Sequence, residues 1–396
     1  MAEVLVELGI AFTALAVAGA LAARADQSVI PAYILAGVVV GPNPPRSLGP
    51  LDLTLVSHLE VIDVGAELGV IFLLFFLGLE FSPDRLLARP TRLLGVGATD
   101  FLVNFGVGLG LAAAFGFPWL TGLFLASIVY ISSSAVVTKA LVERGWIADP
   151  ESDVILGTLV FEDLLIAVVL AVLTAVALGG GGIASVAASV GTAAAFLLAL
   201  AAVAAYGTPY VERLLSVEAD ELFLLFAVGL TTLVAGEALA LGVSEAVAAF
   251  FVGVAFGRTE HVHRLEDVVG PTRDLFAAVF FFSIGLGTDV TAFLDVGVLL
   301  AVAVVATSLS KLASGVLGGR FYGLNRRRSL RVGVGLVPRG EFSLVIASLA
   351  AGAAARIPRT DELTSFTVGY VLAMSVLGTV AMQYVDVLTA FRGETD

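Results

Sequence analysis

Cysteine is absent from the 396 residues. That absence removes disulfides, thiolate metal sites and cysteine nucleophiles. His58, His261 and His263 are the whole supply of histidine, too few ligands for a zinc or iron centre. Charged residues make up only 14% of the chain, and lysine is reduced to Lys139 and Lys311. The longest hydrophilic stretch, 42–62, holds no soluble domain. No cofactor, enzymatic activity or nucleic-acid partner is expected. What remains is apolar: 59% of residues are hydrophobic and the mean hydropathy is +1.02. Such a composition belongs to an integral membrane protein whose main partner is the lipid bilayer. The first apolar run follows Met-Ala-Glu-Val-Leu-Val-Glu without a basic segment, so it reads as a membrane helix rather than a cleaved signal.

A helix crosses a bilayer with about 20 residues. Apolar windows of that kind lie near 3–24, 28–41, 63–81, 93–115, 119–141, 152–178, 183–207, 219–237, 242–257, 270–287, 294–318, 329–353 and 363–389. An all-α polytopic protein of about 13 spans is expected, with Gly179–Gly182 as a flexible connector and Ser82-Pro83-Asp84 opening a short amphipathic piece. Asp149-Pro150-Glu151-Ser152-Asp153 has the chemistry of a helix start. Arginines crowd the loops after odd-numbered spans, Arg326, Arg327, Arg328 and Arg331 among them, whereas even-numbered loops hold Arg46, Arg356 and Arg359. The asymmetry places the N-terminus outside and the C-terminus in the cytoplasm.

Against this background one pair of residues is out of place. Glu162 and Asp163 stand side by side in the middle of the sixth window. Ionisable groups at that depth are costly and usually mark an ion or proton path. Other polar groups share the depth. At about 1.5 Å per residue, Asp163 lies ~16 Å from the cytoplasmic start of its span, Lys311 ~10 Å from the cytoplasmic end of the eleventh, and Arg339 and Glu341 ~15–18 Å into the twelfth. Ser132, Ser133 and Ser134 sit at a similar level in the fifth. Serine hydroxyls satisfy freed backbone groups, and Pro338 and Gly340 interrupt a helix, so the fifth and twelfth spans read as broken. Seven spans separate them, which sets them in opposite directions, as an inverted repeat requires.

A carboxylate away from water takes up either a proton or a dehydrated cation, which is the minimum for exchange. Neighbouring helical residues point about 100° apart, so Glu162 and Asp163 face different surroundings, and Asp163 is assigned the central role. Lys311 is expected to pair with Asp163 in the empty state, and Arg339 with Glu341 across the break. Structural ion pairing, and snorkelling of Lys311 to the interface, are the bland alternatives. Asp100 and Asn104 share a face of the fourth span and fit the path or a helix contact equally. Gly106, Gly108 and Gly110 suit close helix packing. His261 and His263 read as solvated loop residues.

The run Ile30-Pro-Ala-Tyr-Ile-Leu-Ala-Gly-Val-Val-Val-Gly-Pro42 resembles an early helix of the cation:proton antiporter family 2, the bacterial and archaeal antiporters that include Na+/H+ exchangers and potassium efflux systems. Ala66–Glu80, Tyr130–Thr138, Gly242–Gly253 and Phe281–Leu286 resemble further signatures in the family's order. The resemblance implies a sodium/proton antiporter-like fold: inverted repeats, two crossed discontinuous helices, dimerisation-domain helices in 1–81 and 183–287, and core helices in 93–178 and 294–389. It implies a homodimer in the cell membrane working as an elevator. It implies Asp163 as the ion- and proton-binding acid with Glu162 beside it, Lys311 as the core lysine, and Arg339 and Glu341 in the second crossover. Family members carry Asp-Asp or Gln-Asp where this chain has Glu162-Asp163, which leaves Na+ and K+ both open. A cation channel lined by the same acids, or a transport subunit gated by a separate cytoplasmic regulator, are the alternative functions.

Overall fold

The computed structural model describes residues 2–25, 27–43, 47–48, 51–52, 54–57, 60–80, 90–146, 149–178, 191, 195, 198, 202, 207–240 and 245–390. The elements are almost all helical: α1 (Ala2–Arg24), α2 (Val29–Val40), α3 (Glu60–Glu80), α4 (Pro90–Ala114), α5 (Trp119–Tyr130), α6 (Ser134–Glu143), α7 (Pro150–Leu178), α8 (Thr208–Leu215), α9 (Asp220–Ala240), α10 (Glu245–Phe256), α11 (Val262–Leu286), α12 (Gly297–Phe321), α13 (Arg326–Gly335), α14 (Glu341–Gly352) and α15 (Thr360–Ala390). A two-stranded hairpin, β1 (Ser47–Leu48) with β2 (Leu51–Asp52), interrupts the 42–62 connection. Eight helices among the described residues are long and apolar enough to cross a membrane. Eight of the thirteen predicted windows fall on these helices and four more, 28–41, 119–141, 242–257 and 329–353, on shorter ones. The seventh window, the Gly179–Gly182 connector and the piece opened by Ser82 lie wholly or largely outside the described residues.

The helices pack as two groups. α3 lies along α10 and α11, and α11 along α2. α4 lies along α5 and α12, α12 along α13, and α14 along α15. The first group is joined by glycines. A Cβ on Gly78 would stand 1.9 Å from the Phe250 carbonyl oxygen, and one on Gly253 1.9 Å from that of Phe75. The crossing of α2 with α11 repeats the pattern: a Cβ added on Gly37 would collide with the Phe282 carbonyl oxygen and one on Gly285 with that of Ile34. In each case a glycine meets the carbonyl three residues before its partner glycine. Backbones approach this closely only where no side chain intervenes. Gly108 against Ala126 in α4–α5 and Gly315 against Gly333 in α12–α13 form a second related pair. The interval from Gly78 to Gly285 equals that from Gly108 to Gly315, as expected of two repeats.

Of the three glycines expected to pack helices in the fourth span, Gly108 alone does so. Gly106 and Gly110 have nothing within 4 Å of an added Cβ, because they turn to the other side of α4.

The two broken spans cross. α5 gives way at Ile131, and residues 131–133 run extended before α6 starts. α13 gives way after Gly335, and 337–340 are non-helical before α14. The Ser133 amide donates to the Pro338 carbonyl at 2.9 Å, and Ser343 Oγ donates to Ile128 O at 2.8 Å. Pro338 has no amide to offer a helix, and the serine run provides hydroxyls in place of lost ladder bonds. Both breaks fall where the sequence predicts them.

Candidate functional site

Four half-helix ends meet at this crossing, each with unsatisfied backbone groups. Arg339, 0% exposed, serves two of them. Its Nε donates to Val129 O near the end of α5 at 3.2 Å. Its Nη1 donates to Leu336 O and Val337 O after α13, both at 2.8 Å. A guanidinium among carbonyls at two C-terminal ends also opposes the negative pole of each helix. Glu341 opens α14 and accepts from Ser133 Oγ at 2.8 Å, a carboxylate at a positive pole. The expected pairing of Arg339 with Glu341 is therefore replaced: cation and anion each serve helix ends of opposite sign.

Lys311 also departs from expectation. Rather than facing Asp163, its ammonium donates to Glu162 Oε1 at 2.6 Å and to Asp100 Oδ2 at 2.7 Å. Lys311 and Glu162 are 0% exposed and Asp100 is 1% exposed, so the ammonium between them is fixed by charge on both sides, with little water to weaken the attraction. The Tyr130 ring lies 5.0 Å from the same ammonium. Asp100 Oδ1 accepts from Asn104 Nδ2 at 2.8 Å and Ser314 Oγ at 2.7 Å, and Ser310 Oγ donates to Asn104 Oδ1 at 2.7 Å. Glu162 Oε2 accepts the Ser132 amide at 2.6 Å. Each of these carboxylates thus accepts several donors. Breaking such a buried set by removing one partner costs about 3–5 kcal/mol.

Asp163 has a different setting. One residue along α7 from Glu162, it is partly exposed. Ser134, the first residue of α6, donates its hydroxyl to Asp163 at 2.9 Å. Asp163 therefore lies beside the N-terminal, positive pole of α6 and its first hydroxyl.

The structure brings together Glu162, Lys311 and Ser132, then Asp163 with Ser134, then Glu341 with Ser133. Arg339 is held by carbonyls alongside. Asp100 was the residue missed as a charge partner. The available signal was depth: Asp100 and Lys311 lie a similar number of turns from the ends of α4 and α12 that share one side of the bundle. His261 and His263 stand at the start of α11, and His263 is 96% exposed at its side chain beside Glu266. Among the described residues no group of three histidine or carboxylate ligands is arranged for a resident metal.

The family model for the transmembrane sodium/hydrogen exchanger matches residues 10–385. The K(+)/H(+) antiporter subunit KhtU of Bacillus subtilis is 37% identical over 380 residues, covering 96% of this chain and 92% of the relative. The ammonium/H(+) antiporter subunit AmhT of Alkalihalophilus pseudofirmus is 32% identical over 357 residues, covering 89% and 85%. The solved structure of the sodium proton antiporter MjNhaP1 from Methanocaldococcus jannaschii superposes with a TM-score of 0.72 over 98% of this chain and 99% of that one, at 16% identity. That likeness establishes the sodium/proton antiporter fold. With the crossing, the acid pair and these matches in hand, the chain belongs to the sodium/hydrogen exchanger family of cation/proton antiporters.

Proposed function

We propose that this protein is a secondary active antiporter exchanging Na+ or K+ for H+ around Asp163. One observation carries the reading. Of two adjacent buried-span acids, Glu162 is spent on Lys311 and Ser132, whereas Asp163 is partly exposed at a helix pole. A single exchangeable carboxylate binds one proton or one monovalent cation, and alternation between them couples the two gradients. The printed names of the relatives, a K(+)/H(+) and an ammonium/H(+) antiporter subunit, favour K+ over Na+.

In this reading the glycine-joined helices of 1–81 and 183–287 form the stationary dimerisation domain of a homodimer. Helices of 93–178 and 294–389 carry Asp163, Glu162, Lys311, Arg339 and Glu341 as the moving elevator. The N-terminus faces outside and the C-terminus the cytoplasm of the cell membrane. The word "subunit" in both relatives' names supports a separate cytoplasmic regulatory subunit.

The test uses purified protein in liposomes under an imposed pH gradient, with Na+ then K+ added and internal pH followed by a trapped dye. Cation-dependent dissipation is expected in the wild type and absent in Asp163→Asn, with the lower half-saturation naming the cargo. Full exchange by Asp163→Asn would overturn the reading. Cation conduction without proton movement would replace it with a channel.

A further inference from the structure

Residues 320–331 hold five arginines and no acid, in a chain with 34 acidic and 21 basic residues. They form the end of α12, the turn after it and the start of α13. The turn is tight: the Leu324 amide donates to Gly319 O at 2.9 Å, and a Cβ added at Gly319 would collide with Ser329. Arg320 and Arg326 are therefore carried at one corner of the bundle. Arg92, in the first turn of α4, joins them. Its guanidinium lies over the Tyr322 ring, 5.6 Å from the centroid, a cation–π contact that orients it.

These three differ from other arginines in their partners. Arg264, Arg273, Arg331 and Arg359 each meet a carboxylate at 2.6–2.8 Å, and Arg328 lies 3.5 Å from Glu151. Arg92, Arg320 and Arg326 are exposed and make no ion pair with a carboxylate among the described residues. Apolar surface adjoins them. Phe321, next to Arg320, is 61% exposed, and Leu94 and Leu317 are exposed beside it. Leu317 and Phe321 end a stripe that runs along α12 from Val298 through Val305 and Leu309, all exposed. The sign of the charge follows the bias that orients a membrane protein. The meeting of unpaired guanidinium groups with a lipid-facing stripe does not follow from that bias.

We infer that this corner of α4, α12 and α13 binds an anionic phospholipid, its headgroup phosphate held by Arg92, Arg320 and Arg326 and its acyl chains lying against Leu94, Leu317 and Phe321. A guanidinium donates in a planar fork that matches phosphate oxygens. A lipid meets both halves of the surface, whereas a soluble anion or an acidic protein meets only the arginines. The inference needs the chain to lie in a membrane and does not depend on the antiport reading. A basic residue near an anionic lipid surface contributes about fivefold in affinity, and salt screens the attraction over a Debye length of ~10 Å at 0.1 M.

Purified protein, stripped of lipid in detergent, is titrated separately with phosphatidylglycerol, phosphatidylcholine, inorganic phosphate and polyglutamate, and bound molecules are counted by native mass spectrometry. Phosphatidylglycerol is expected to bind most tightly. Arg92→Gln/Arg320→Gln raises its Kd about tenfold at low ionic strength, and Phe321→Ser raises it less. Should the double variant not fold, Arg326→Gln, at the exposed first position of α13, is expected to raise the Kd about fivefold. Arg213→Gln, an exposed arginine of α8 in the other helix group, leaves it unchanged. A Kd that does not move, a loss shared equally by phosphatidylcholine, or an equal loss in Arg213→Gln overturns the inference. Inorganic phosphate or polyglutamate bound as tightly as phosphatidylglycerol also overturns it, giving the arginines to a soluble anion or to an acidic protein. The readout is binding, so a failure of cation exchange, which would overturn the antiport reading, leaves this result in place.

Discussion

The two helix groups share close glycine contacts but differ in what is added to them. In α2, α3, α10 and α11, backbone lies directly on backbone at Gly37, Gly78, Gly253 and Gly285, and the contacts need no polar group. In α4–α7 and α12–α15, where Gly108 and Gly315 also allow close approach, polar side chains add a second kind of join: Lys311 with Asp100 and Glu162, Arg339 with four carbonyls, Ser133 with Glu341. In a bilayer, packing between apolar helices gains nothing from expelling water, so close van der Waals approach must serve instead. A polar join has strict partners and fails abruptly when one is lost. A glycine join tolerates any change that adds no atom.

The largest expected effect is on the glycine side. Gly78→Leu puts a side chain where the Phe250 carbonyl oxygen already stands, and loss of the monodisperse peak on gel filtration in detergent is expected. A peak like that of the wild type would show that this group is held by something else. Next comes Lys311→Met, which strands Asp100 and Glu162 without their cation. A loss of about 3–5 kcal/mol is expected, read as a fall in thermal unfolding midpoint. Adding Asp100→Asn recovers part of it, because contacting residues are not additive. Gly108→Ala is milder, about 1–3 kcal/mol, because the Ala126 backbone must yield. Gly106→Ala is the smallest and has the opposite sign: with open space around it, the gain in helix propensity is up to ~1 kcal/mol. Equal effects at positions 106 and 108 would erase the distinction between packing glycines and idle ones.

Much of this architecture was legible in the residues. Ser132–Ser134 and Pro338-Arg339-Gly340 announced the two breaks, since no uninterrupted helix accommodates that chemistry at mid-membrane. Adjacent helical residues point about 100° apart, so Glu162 and Asp163 are expected to face different surroundings, and the structure buries Glu162 while leaving Asp163 partly exposed. Partner choice was not legible. Arg339 and Glu341 are two residues apart and of opposite charge, which suggests a pair. The freed carbonyls and amides that separate them exist only once two breaks cross. Lys311 and Asp100 share a depth, but rotation about the helix axis decides contact, and one sequence does not fix that angle between distant helices. The roles of the glycines failed for the same reason: Gly106, Gly108 and Gly110 look alike in sequence and diverge only when one face of α4 is covered.

The crossing itself has a consequence for how the protein can change over time. A Cβ added at Gly340 would stand 2.4 Å from Ser133 Oγ, while the Ser133 amide holds the Pro338 carbonyl. Positions 133 and 340 therefore share one small volume although they lie in different halves of the chain. A lineage, or a laboratory library, that enlarges one must shrink the other in the same step. Selection acting here explores the pair together: a larger residue at 340 fits only once position 133 has become smaller.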